Sequence, residues 1–69
     1  MLAKKSFTLS GHRTSVALEA EFWTVLQANA RTQGLALTAL VARIDAGRGA
    51  RPLASALRLH ALAAAGGTP

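Results

Sequence analysis

Residues 13–18, Arg-Thr-Ser-Val-Ala-Leu, set Thr14, Val16 and Leu18 in strict alternation with Arg13, Ser15 and Ala17. Period two is the signature of a strand with one face toward a core. The pattern runs straight into helical sequence at Glu19, with no turn residue between. A strand beside a core has to pair its backbone N–H and C=O groups. Within the chain, the stretch able to pair it is residues 4–9, where Phe7 and Leu9 alternate with Ser6 and Thr8. Otherwise the mate is the same strand of a second copy, antiparallel across a two-fold axis. The need to find this strand a mate restricts the fold more than any other feature.

Everything after residue 18 reads as helix. In residues 19–34, Phe22, Val25, Leu26 and Ala30 fall on one face. Glu19 and Glu21 sit in the first turn and Arg31 in the last, each on the side that the helix dipole favours. Gly34 is a natural residue just past the helix end. A second helix carries Leu37, Leu40, Val41 and Ile44 at helical spacing and stops at Gly47 and Gly49. A third, residues 52–64, opens with Pro52 at the first helical position and buries Leu53, Ala56, Leu57 and Ala61. The organisation predicted is an arm or extra strand over 1–12, a core over 13–48, a linker and C-terminal helix over 49–65, and a frayed tail over 66–69. The fold class is mostly α with one N-terminal strand.

With 69 residues the chain makes one domain. A chain this short buries roughly 60% of its unfolded surface and is marginal alone, and small domains are usually helped by a disulfide, a metal or a partner. There is no cysteine, and His12 and His60 are too few and too distant for a structural metal. A second subunit is the staple that remains. Four helices sharing one core across the two-fold would supply it. No run reaches the roughly 20 apolar residues of a membrane span, and the N-terminus has no signal-peptide apolar region, so a cytoplasmic protein is expected. Eight Lys and Arg against three acids leave a net charge of +5, which favours a polyanionic partner, nucleic acid first. Glu19, Glu21 and Asp45 are too sparse for acid–base chemistry, and there is no nucleophile–base arrangement or phosphate loop. Neither an enzyme nor a cofactor is expected.

From Arg13 to Gly47 the layout resembles a ribbon-helix-helix DNA-binding domain. Arg13–Leu18 matches that family's strand, and Gly34 falls where the family places the glycine between its two helices. Residues 34–38, Gly-Leu-Ala-Leu-Thr, resemble its turn: Gly34 and Thr38 fit, whereas Ala36 stands where a helix-capping hydroxyl is usual. The stretch from Gly11 to Trp23 is similar to a variant found in short bacterial proteins. The resemblance implies an intertwined homodimer whose two-stranded ribbon enters the major groove, and a regulatory or antitoxin role.

On the strand's pleat, Thr14, Val16 and Leu18 face the core and Arg13, Ser15 and Ala17 face out. Arg13 suits guanine O6 and N7, Ser15 can donate or accept at several bases, and Ala17 packs on a thymine methyl. The free N–H groups around Leu37, Thr38 and Ala39, at the start of the second helix, make a phosphate site. Lys4, Lys5 and His12 are expected as a basic arm along the DNA backbone, and Arg48, beside Arg51, as a further phosphate contact. Arg58 is expected as a solvated helix charge and His60 as a surface or partly buried helix residue. The dimer core is expected to hold Val16, Leu18, Phe22, Trp23, Leu26, Leu40, Val41 and Ile44.

A second reading starts from Ser10-Gly11. If these residues turn the chain, residues 5–9 pair with 13–18 as a hairpin, and two copies make a four-stranded sheet. So wide a sheet does not enter a groove as a ribbon does. The protein is then a dimeric protein-interaction module, antitoxin-like roles included.

The assignment of faces has a direct consequence. Val16→Asp buries an unpaired charge and is expected to abolish cooperative thermal unfolding, whereas Ser15→Ala leaves the melt nearly unchanged. Circular dichroism of the two variants checks this; two parent-like melts reverse the face assignment.

Overall fold

In the computed structural model of the chain, which describes residues 1–66, the strand has found its mate in cis. Leu2–Leu9 (β1) pairs antiparallel with His12–Glu19 (β2) in a two-stranded sheet. Ser10 and Gly11 join them with φ of 51° and 79°. Positive φ at both central residues marks the type I′ turn, whose twist matches that of the flanking strands. The expected single strand is therefore a hairpin, and residues 1–12 contribute a strand rather than an arm. The reason is local: a two-residue turn holds the partner strand at once, with no second molecule to recruit.

The register follows from the turn. Leu9 pairs with His12, Phe7 with Thr14, Lys5 with Val16 and Ala3 with Leu18. Side chains directly opposite share a face. This face carries Phe7, Leu9, Val16 and Leu18 into the core.

No linker separates β2 from α1 (Ala20–Thr32), because Glu19 changes the backbone in one step. Its φ of −56° and ψ of 141° are extended, and the next residue is helical. At the other end Gly34, with φ of 70°, closes the helix. Leu35 N–H donates to the Ala30 carbonyl at 2.8 Å and Gly34 N–H to that of Arg31 at 3.0 Å. These paired bonds are the Schellman arrangement, with Leu35 and Ala30 packed into the core beside it. α2 (Leu37–Gly47) follows, then α3 (Leu53–Ala64), in which Pro52 is the capping residue, one place before its expected position. The tail expected at 66–69 lies, apart from Gly66, outside the described residues.

The core draws on every element. Leu18, Leu26, Leu40, Val41 and Leu57 come from β2, α1, α2 and α3, and each is at most 1% exposed. Burial of one such side chain is worth about 1.5–3 kcal/mol. Trp23 locks the hairpin to α1. Its Nε1–H donates to the Ala3 carbonyl at 2.7 Å, and its ring meets Phe7 at a centroid distance of 5.8 Å and a tilt of 41°. Six residues expected between two copies (Val16, Leu18, Trp23, Leu26, Leu40 and Val41) are already buried within one chain. Phe22 and Ile44 lie half-buried against them. β1 and α3 thus complete in cis what the sequence assigned to a second subunit.

Arg58 corrects another expectation. Its guanidinium does not stand free in solvent: Nε donates to Glu19 Oε1 at 3.0 Å, tying α3 to the junction of β2 and α1. Glu19 is held below its ordinary pKa of 4.5, first by a hydrogen bond from its own backbone N–H and then by the Arg58 guanidinium. A carboxylate with a depressed folded-state pKa adds stability above its unfolded pKa, and that contribution is lost as pH falls through the folded value. Arg58→Ala is therefore expected to lower Tm at neutral pH, with the gap to the parent narrowing below pH 4.5. Thermal melts across that range check it. A second expectation is that the protein still unfolds cooperatively at dilutions where sedimentation finds only monomer, because the core closes in one protomer. Loss of the folded signal on dissociation would show that folding requires association.

Candidate nucleic-acid interface

The other face of the hairpin is polar. The register sets Thr8 opposite Arg13, Ser6 opposite Ser15, Lys4 opposite Ala17 and Leu2 opposite Glu19. Lys4, Ser6, Thr8, Arg13 and Ser15 are exposed, and Ala17 is half-buried beneath Lys4. Two cross-strand contacts order the surface. The Ser6 and Ser15 hydroxyls are 2.9 Å apart, and Arg13 Nη1 donates to Thr8 Oγ1 at 3.5 Å, the limit of a hydrogen bond. A guanidinium, an ammonium and three hydroxyls therefore lie in two adjacent rows. Together they offer donors, acceptors and a small apolar patch, the inventory that a major-groove base edge answers.

This face carries the cations Lys4 and Arg13. Glu19 is its one acid, placed at the end away from the turn, and Arg58 already occupies that carboxylate. Lys4 and Arg13 stand clear of any acid among the described residues.

Ser6 and Thr8 are the outer-face residues that the sequence reading did not single out. Their signal was present: once Ser10-Gly11 is taken as the turn, Leu9 must face His12, and every pairing upstream follows. Treating residues 4–9 as a possible arm left those two side chains without a direction.

Lys5 and Lys4, expected side by side on one arm, point to opposite faces. Lys5 pairs with Val16 on the core side, and its Nζ lies 5.8 Å from the Trp23 ring centroid. The pleat imposes this, since successive strand residues alternate faces. A cation over an aromatic face gains about 0.5–1 kcal/mol at an exposed site, so Lys5 serves packing there. His12 belongs to β2 next to the turn. Arg48 makes contacts within the chain. Its Nε donates to Asp45 Oδ1 at 2.7 Å and its Nη1 to the Arg51 carbonyl at 2.7 Å. Asp45 is one turn back on the same helix, where such pairs form readily.

The start of α2 presents uncapped backbone donors. Ala36 is the capping residue and makes no side-chain cap, so the N–H groups of Leu37, Thr38 and Ala39 have no hydroxyl or carboxylate to satisfy them. Leu40 N–H already donates to the Ala36 carbonyl at 3.1 Å. The first turn contains no acid, Thr38 and Ala39 are exposed, and Leu37 is half-buried. Free N–H groups and the positive dipole end at a helix start together favour a phosphate. α2 also packs on β1, which puts both features on one rigid unit.

Among the described residues no group of three His, Cys, Asp or Glu is gathered where a metal ion would need them. No helix of the described chain is long and apolar enough to cross a membrane.

Comparison with known proteins agrees with this architecture. The ribbon-helix-helix domain matches residues 2–65, a span that begins with β1 and ends just after α3. Neither the curated proteins nor the solved structures contain a match. Domains of this kind are typically DNA-binding regulators, without catalytic activity. With the hairpin and all three helices inside the matched span, the chain belongs to the ribbon-helix-helix domain family.

Proposed function

We propose that this chain is a sequence-specific double-stranded DNA-binding protein, a small cytoplasmic transcription regulator of bacterial type, and not an enzyme. The outer face of the β1–β2 hairpin enters the major groove. Arg13 makes a bidentate contact to guanine, Ser15 hydrogen-bonds a base edge and Ala17 packs on a thymine methyl. The N–H groups of Leu37, Thr38 and Ala39 take a phosphate and set the register, as backbone contacts do. Lys4 reaches the phosphates beside the groove. The observation that carries this reading is the acid-neutralised polar face of a hairpin only two strands wide, the width that the major groove admits.

Each protomer then owns a complete ribbon. A homodimer brings two ribbons to the halves of a palindromic site, one helical turn or a multiple of it apart.

One observation favours a second reading. The hairpin has formed, and both of its outer edges lack a strand partner among the described residues. If two copies pair edge to edge, the sheet is four strands wide and no longer fits the groove. The protein is then a dimeric interaction module in which the positive charge is incidental.

Selection from random duplexes, followed by a salt series on the selected site and a scrambled one, separates the readings. The parent should prefer one sequence and lose affinity steeply with salt, because neutralised phosphates release counterions. Arg13→Ala should cost roughly 1–3 kcal/mol per lost bidentate contact, mainly on the selected site. Failure to enrich any sequence, together with unchanged binding by Arg13→Ala, would transfer support to the interaction module.

A further inference from the structure

A groove of about 520 Å³ lies between the C-terminal half of α2 and the middle of α3. Its volume falls in the range of about 300–1,000 Å³ usual for ligand sites. The groove is lined by Arg43, Ile44, Arg48, Arg51, Leu59 and His60, among others. Ile44 and Leu59 give it an apolar floor, and Leu59 is 47% exposed. Leu62, one turn further along α3, is equally 47% exposed.

The rim is basic. Arg43 Nη1 donates to Gln33 Oε1 at 3.0 Å, and Arg48 is held by Asp45 and by the Arg51 carbonyl. The Arg51 side chain makes no hydrogen bond or ion pair among the described residues. His60 Nε2 lies 2.8 Å from Asn29 Oδ1, which fixes its ring against α1. Of the three guanidiniums only Arg48 has an acid partner, and the Arg51 side chain is uncommitted among the described residues.

We propose that this groove docks an acidic peptide segment of a partner protein, one that brings carboxylates for Arg51 and Arg43 and an apolar side chain for the Ile44–Leu59 floor. A guanidinium presents a planar fork that matches a carboxylate bidentately. The apolar floor argues against a nucleic-acid backbone, which has no side chain to fill it. A second copy of this chain is also a poor occupant. It has three acids, of which Arg58 engages Glu19 and Arg48 engages Asp45, leaving Glu21 alone, and it carries the same +5 charge. The proposal does not depend on the hairpin's binding to DNA, because it uses neither strand.

Phage-displayed random peptides selected on the full chain test it, with the enriched sequence then synthesised and titrated by fluorescence anisotropy. The enriched peptides should combine several Asp or Glu with a large apolar residue. Affinity should fall by about tenfold or more in Arg51→Glu, the scale of one lost charge-assisted contact. It should fall again in Leu59→Ser and stay unchanged in Arg13→Ala. Both groove side chains are solvent-accessible, and the Trp23 emission spectrum reports whether each variant keeps its core. Arg43→Glu serves as a second charge reversal should Arg51→Glu lose that spectrum. The proposal is overturned if the enriched peptides are not acidic, or if both charge reversals bind them like the parent. It is equally overturned if a DNA duplex rather than peptide shifts the Ile44 and Leu59 amide resonances, or if the charge reversals abolish self-association instead.

Discussion

Pairing of β2 by β1 is the constraint on which the rest of this molecule rests. A strand that lays Val16 and Leu18 against a core carries backbone donors and acceptors that water no longer reaches from that side. A two-residue turn with φ positive at Ser10 and Gly11 brings the mate within the same chain. Once that pairing exists, Phe7 and Leu9 join the buried face, Trp23 gains the Ala3 carbonyl and the Phe7 ring, and α1 is locked to the sheet. The outer face then acquires two rows of polar side chains where the strand alone supplies one.

Self-sufficiency of the protomer changes what a partner is for. A 69-residue chain without disulfides sits near the lower limit of size for independent folding. Here α3 packs on α1 and α2 and puts Leu57 and Ala61 into the centre, so the core closes without a second copy. Under the proposed readings, association serves function: two ribbons on one DNA site, or a partner segment in the groove beside α3.

The charges divide along the same lines. Arg58 and Arg48 are spent on Glu19 and Asp45 within the protomer. Lys5 stacks over Trp23. Lys4 and Arg13 on the hairpin, Arg43 and Arg51 beside α3, and Arg31 in the last turn of α1 make no ion pair among the described residues. Net charge is therefore a poor guide to where a basic chain binds. Intramolecular pairing decides which cations remain available, and that pairing is a matter of three-dimensional proximity.

Much was legible in the residues. Alternation over 13–18 marked β2 and its inward face, helical spacing marked Leu26, Leu40, Val41 and Leu57 as core, and Gly34 marked the end of α1, because these signals are local and repeat with the period of the element. The first-turn N–H groups of α2 were also readable, since Ala36 has no hydroxyl to cap them. Three decisions belonged to the tertiary structure. The sequence left β2's mate open between residues 4–9 and a second copy, because both satisfy the same backbone groups, and the cis hairpin is the one that forms. Arg58 meets Glu19 across 39 residues of chain, a contact that no spacing rule announces. The groove of Arg43, Arg51, Ile44 and Leu59 exists because α2 and α3 pack side by side, and neither helix carries it alone. Local periodicity determined which faces are buried; the long-range packing of those faces decided what lies next to what, and so which side chains are left free to bind.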